Sequence, residues 1–272
     1  MPNYVVSGRG ACRLGLLTVA LSALLLAAPG RGSAATLTVC PSGCAYTTIA
    51  GALAAASSGD KIAVGAGSYG GGFTIGKNVS LLGAGASRTT ISGGGPVVTV
   101  AGRVSATIAG VTVNGGSTGF FGGGLFNGGT LTLKDSTVSA NTADGGGGIF
   151  NGGTLILNDT TVSGNSARAG GGILNSGSLT LMDSTVSGNT ALHAAGGILN
   201  GGSLTLKNTT VSSNSAGTAG GGIFNGGTAA LTDSTVSGNT AVGAGGGIFN
   251  VGALTLSDSA VSGNTPDDCV GC

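Results

Sequence analysis

The sequence predicts an all-β fold: a single-stranded right-handed parallel β-helix, a solenoid with three short strands per coil and a short N-terminal capping helix. Three observations carry this reading. Gly-Gly-Ile/Leu-Phe/Leu-Asn occurs six times, its last residue being Asn127, Asn151, Asn175, Asn200, Asn225 and Asn250. Thr-Val-Ser-x-Asn, with Ala260 for Thr in its last copy, ends at Asn141, Asn165, Asn189, Asn214, Asn239 and Asn264. Both series step by 24, 24, 25, 25 and 25 residues. Between these markers, pieces such as Thr154-Leu-Ile-Leu157 alternate with period two and are bounded by Gly, Asn or Asp, which excludes a helical repeat. Three such strands in 24 to 25 residues fit one solenoid coil, each stacked ~4.8 Å above the last.

Taken in chain order, the first segment reads as an export signal. Arg9 and Arg13 precede the apolar run 16–28, and Ser33-Ala34-Ala35 supplies small residues for cleavage, which is the plan of a secretory signal peptide over 1–35. The run is shorter than the roughly 20 residues that span a bilayer. Its removal leaves seven Lys/Arg against nine Asp, a net charge of −2. A weakly acidic chain has no basic footprint for nucleic acid or anionic lipid, and no transmembrane segment is expected after cleavage. The expected location is extracellular or at the cell surface.

Residues 36–65 form an expected N-terminal cap. Thr47 to Ser57 reads as a short helix with Ile49, Leu53 and Ala56 on one face. Laid over the first coil, it would cover an open sheet edge. Strands are expected at 61–64, 73–75, 79–82 and 97–100. The β-helix itself is drawn over 66–264, with regular repeats from about 122 and a degenerate earlier copy at Val111-Thr-Val-Asn114. Residues 265–272 remain as a tail containing Cys-x-x-Cys. Four cysteines persist after cleavage, at both ends of the solenoid. Exported proteins favour disulfides, and the architecture favours the local pairs Cys40–Cys44 and Cys269–Cys272. Four-ligand zinc and a redox Cys-x-x-Cys are the rival readings.

Within the coils, alternation points Ile149, Leu155, Leu157 and Val162 inward, like residue stacking on like residue. The two Asn series read as structural ladders, because a side-chain amide carries donors and an acceptor and Asn tolerates left-handed turns.

Tyr46-Thr-Thr-Ile-Ala-x-Ala-Leu-x-Ala-Ala, Gly59-Asp-Lys-Ile, Gly65-Ala-Gly-Ser-Tyr69 and Val79-Ser-Leu-Leu-Gly83 resemble the opening of pectin-lyase-like right-handed β-helix proteins, pectinesterases included. The repeat Gly-Asn-Thr/Ser-Ala-x-x-Gly-Gly-Gly-Ile-Phe-Asn resembles that of the polymorphic outer membrane protein family. Together these cover roughly residues 36–264. The resemblance implies the fold. It also implies that an enzymatic member would carry acidic residues with Arg, Lys or His in a cleft. This chain has no Glu, its single His193 has no acidic neighbour, and no pectinesterase Gln-Asp or Asp/Arg motif is present.

Four rows remain as candidate sites. Asp135, Asp159, Asp183, Asp233 and Asp258, interrupted by Asn208, are either turn residues or a Ca²⁺ row. Phe126, Phe150, Leu174, Leu199, Phe224 and Phe249 form either an outward apolar stripe for a partner or a buried bend. Thr137, Thr161, Thr185, Thr210 and Thr235, with Ser139, Ser163, Ser187, Ser212 and Ser237, form an outward hydroxyl array. His193 and Arg168 read as solvated loop residues. No catalytic constellation and no cofactor is expected. The leading functional reading is a secreted, non-catalytic structural, adhesin-like or glycan-binding protein, with glycans or cell-surface or matrix components as partners and the oligomeric state left open. The alternatives are a carbohydrate-active enzyme, of lyase or hydrolase type, and an ice- or mineral-templating surface.

Overall fold

The computed structural model describes residues 2–3 and 33–272, and the expected export signal falls almost wholly outside them. Ala34–Cys272 is one unit. Its strands stack in parallel into a first sheet of ten strands (Thr36–Val39 to Ala253–Ser257), a second of nine (Gly67–Gly70 to Ala260–Ser262) and a third of nine (Phe73–Ile75 to Cys269–Val270). Each regular coil runs from the third sheet through the first to the second, as in Ile149–Asn151, Thr154–Asn158 and Thr161–Ser163.

A fourth sheet of five strands accompanies the three expected ones. It consists of Thr142–Gly145, Ser166–Ala169, Thr190–Ala191, Ser215–Ala216 and Thr240–Ala241. These pieces are only two to four residues long and point just one small residue per coil inward, Ala143, Ala167, Ala191, Ala216 or Ala241. Such short segments carry little alternation to read in advance.

The expected boundaries at 65/66 and 264/265 do not separate structural units. Thr36–Val39 and Lys61–Val64 are already strands of the first sheet, and Cys269–Val270 extends the third by pairing with Ile248 and Phe249.

The core is built of stacked rows. Leu131, Leu155, Leu179 and Leu204 lie in register, as do Leu133, Leu157, Leu181, Leu206 and Leu231, and Val138 through Val236 at each coil step. These side chains are buried. At about 2 kcal/mol per fully buried aliphatic side chain against about 1 kcal/mol net per hydrogen bond, these rows supply most of the stability and the polar rows fix geometry.

Helix α1, Ile49–Ala55, closes the N-terminal end. Thr48 caps it by accepting a bond from the Gly51 N–H at 3.1 Å, and Ile49, Ala52 and Leu53 are buried. Its other end is held by Lys77, whose Nζ donates to the carbonyls of Ala54 (3.0 Å) and Ala56 (2.6 Å). A cation there also complements the helix dipole.

Candidate binding faces

Both Asn series are ladders, buried at every position except Asn250. In the row from Asn127 to Asn250, each Nδ2 donates to the Oδ1 of the Asn one coil on, at 2.7–2.8 Å. In the row from Asn141 to Asn264, each Asn offers both its backbone N–H and its Nδ2 to the next Oδ1, at 2.9–3.0 Å. Their amides are fully engaged within the fold. A third polar row, at the corner between the first and second sheets, was not anticipated. Ser136, Thr160, Ser184, Thr209 and Ser234 are buried there, and the N–H groups of Thr160, Thr209 and Ser234 donate to the hydroxyl one coil on. The signal lay in the recurring Asp-Ser/Thr and Asn-Thr pairs at that turn.

The Asp row takes left-handed backbone at every position, with φ between 46° and 50°, and Asn208 matches it at 46°. Asn and Asp are the side chains that tolerate this conformation best, so turn geometry accounts for the row. All five carboxylates are exposed, and Asn208 Nδ2 donates to Asp183 Oδ1 at 2.6 Å. Among the described residues, no group of three or more His, Cys, Asp or Glu gathers in metal-binding geometry. Both expected disulfides, Cys40–Cys44 and Cys269–Cys272, are formed.

The apolar stripe stands between the two expectations. Phe126, Phe150, Leu174, Leu199, Phe224 and Phe249 lie on the outer face of the third sheet and are all half-buried. Side chains of the stripe pack on the neighbouring backbone and on one another. A Cβ at Gly145 would lie 2.7 Å from the Phe121 ring and 2.9 Å from Leu174 Cδ1, which shows how closely the Phe121 and Leu174 side chains lie on the backbone there. Phe126 and Phe150 stack at 4.9 Å between centroids, as do Phe224 and Phe249 at 5.2 Å. The rings turn their faces to one another along the stack, which leaves mainly ring edges for a ligand.

The open faces are hydroxyl-rich. On the second sheet, the Thr137 and Ser139 rows stack in register through Thr235 and Ser237. The first sheet carries a comparable pair of rows, Thr130, Thr154, Ser178, Ser203 and Thr228 beside Thr132, Ile156, Thr180, Thr205 and Ala230. Ala230 replaces a branched side chain in the second row, and a shallow depression of about 330 Å³ opens there, lined by the hydroxyls of Ser203, Thr205, Thr228 and Thr255 and by Leu204, Ala229, Ala230 and Ala253. Two ionisable groups with shifted acidity lie near the N-terminal end of the solenoid instead. Backbone N–H groups of Ser57 and Ala35, helped by Lys77, hold Asp60 below the usual carboxylate range against the opposing effect of burial, and burial raises Tyr69.

These features define a parallel β-helix with polar flat faces and a structurally committed interior. The chain belongs to the right-handed beta helix family: the model of the "Right handed beta helix region" matches residues 77–241, more than half of its length. Among solved structures, it is similar to the pectin methylesterase PemA from Erwinia chrysanthemi (TM-score 0.58, 12% identity, 85% of this chain and 91% of that one). It is also similar to a pectin methylesterase from carrot (TM-score 0.57, 12% identity, 86% and 85%) and to the pectate lyase Pel9A (TM-score 0.58, 15% identity, 88% and 81%). At these identities the likeness is one of fold. No curated protein matches the chain significantly.

Proposed function

We propose that this is an exported, non-catalytic β-helix protein that binds extended polysaccharide on the outer face of its first sheet. The observation that carries the reading is the shallow, mixed apolar and hydroxyl depression at Ala230, set within in-register Ser/Thr rows. Hydroxyls and methyls at ~4.8 Å steps offer donors, acceptors and apolar contacts to successive sugar units, with Lys134 and Lys207 exposed on the same face. Export is supported by Arg9 and Arg13 ahead of the apolar run 16–28 and by the two disulfides. The structural neighbours whose names concern pectin support a carbohydrate ligand.

The test is a glycan array probed with the wild type and with Ala230→Trp, an exposed substitution that fills the depression. Binding that falls at least about tenfold in the variant, with an unchanged melting midpoint, is the expected result. Absence of glycan binding, or equal binding by both proteins, overturns the reading. The second reading, a carbohydrate-active enzyme, is favoured by the enzymatic neighbours and predicts turnover of methyl-esterified or de-esterified pectin.

A further inference from the structure

An Asn followed by Gly is chemically labile. The Gly backbone nitrogen, unshielded by a side chain, attacks the preceding side-chain amide and expels ammonia. The chain holds five such pairs: Asn114-Gly115, Asn127-Gly128, Asn151-Gly152, Asn200-Gly201 and Asn225-Gly226. Four of these Asn belong to the ladder from Asn127 to Asn250 and are fully buried. Each of the four donates its Nδ2 to the Oδ1 of the next Asn and to a strand carbonyl, that of Thr154, Ser178, Thr228 or Ala253, at 2.7–3.0 Å. Attack requires the amide to leave the ladder and turn toward its own main chain. That movement breaks several bonds inside a dry interior, where lost partners are costly.

Asn114 has no such protection. It ends strand Thr112–Asn114 of the second sheet, half-buried on the outer face at the position that the next coils give to Ser139 and Ser163. Among the described residues no protein group bonds its side-chain amide, which is left to water. The Gly115 N–H donates to Ala140 O at 3.2 Å, whereas the Gly N–H groups of the four ladder pairs are held at 2.8–2.9 Å. We propose that Asn114 is the residue at which the folded protein deamidates, and that the ladder spares the other four pairs. Gly115 N bonds to Asn114 Cγ, its proton passes to the departing Nδ2, and ammonia leaves a succinimide. One water then opens the ring to Asp or iso-Asp. The product sets a carboxylate between Ser92 and Ser139 in the second sheet. Unfolding exposes all five pairs, so modified ladder positions mark chains that have unfolded. An Asp formed there lacks the donor that the ladder needs. The site lies on a different sheet from the proposed polysaccharide face, and the two stand or fall separately.

Peptide mapping by mass spectrometry tests the assignment on purified protein stored in mildly alkaline buffer for weeks, beside the same protein kept unfolded in guanidinium. In the folded protein, Asp and iso-Asp are expected to form at Asn114 at least about tenfold faster than at Asn127, Asn151, Asn200 or Asn225. Unfolding is expected to bring the five rates within about threefold of one another. Asn114→Ser installs the residue that the next coils carry. With a circular dichroism melt as the folding control, it is expected to lose the main acidic species seen on isoelectric focusing. A folded protein that modifies a ladder Asn as fast as Asn114 overturns the proposal, as does an Asn114 that stays intact while the unfolded chain deamidates. An acidic species undiminished in Asn114→Ser also overturns it. So does an equal preference for Asn114 in the unfolded chain, which would trace the selectivity to local sequence and not to the ladder.

Discussion

Asn264 donates both its backbone N–H, at 2.8 Å, and its Nδ2, at 3.0 Å, to one oxygen of Asp268. Every other Asn from Asn141 to Asn239 makes this pair of bonds to the next Asn. Asp268 therefore takes the place of a further Asn and, having no donor of its own when ionised, ends the ladder. Asp268→Asn keeps the acceptor and should leave the melting midpoint near that of the wild type. Asp268→Ala strands the backbone N–H of Asn264, whose Nδ2 keeps the carbonyls of Val236 and Ser262, and should cost about 1 kcal/mol in a denaturant titration.

A break in the middle of a ladder should cost more. Asn175 is fully buried, donates to Gly177 O, Asn200 Oδ1 and Ser203 O, and accepts from Asn151. Asn175→Leu leaves several of these groups unpaired, and a loss of about 3 kcal/mol is expected by denaturant unfolding. An unchanged midpoint would mean that the ladder contributes no stability.

Acid sensitivity should begin in the cap. Asp60 accepts from the N–H groups of Ser57 (2.7 Å) and Ala35 (2.8 Å), which lower its pKa in the folded state. A depressed carboxylate contributes stability above the ordinary Asp value of about 3.9 and loses it as the pH falls through the lower folded value. The melting gap between wild type and Asp60→Asn should be widest near neutrality and close between about pH 5 and pH 2. A gap independent of pH would contradict this role for Asp60.

Turn geometry should govern substitution in the Asp row. Asp233 has φ of 49°, a conformation that costs an ordinary side chain about 1 kcal/mol. Asp233→Gly should be neutral or slightly stabilising, whereas Asp233→Ala should lose about 1 kcal/mol. Equal stability of the two would show that the carboxylate, rather than the backbone, is what the position requires.

The parts of this fold legible in sequence are those that repeat with alternation: the three sheets, the Leu and Val rows, and both Asn ladders, which stand at fixed spacing beside Gly. Helix α1 was legible from its apolar face, although it runs Ile49–Ala55 with Thr48 as its cap, two residues shorter at each end than the expected Thr47 to Ser57. The fourth sheet was not legible, because Thr190–Ala191 and its equivalents are too short to alternate. The hydroxyl ladder at Thr160 and Ser184 was hidden by Asp, a stronger turn signal at the preceding position. For the candidate sites, information resides in departures from the repeat. Asn114 stands where the next coil places Ser139, and Ala230 stands where Thr205 and Thr255 flank it. A reading organised around the repeat passes over such exceptions, since each takes its meaning from its neighbours one coil away.

Incubating purified protein with the glycan it binds best separates binding of a polysaccharide from its chemical change. Reducing ends, unsaturated products and released methanol would be followed over many hours. Saturable binding and an unaltered polymer are expected. Any product formed in proportion to protein concentration would contradict non-catalytic binding and make this chain an enzyme.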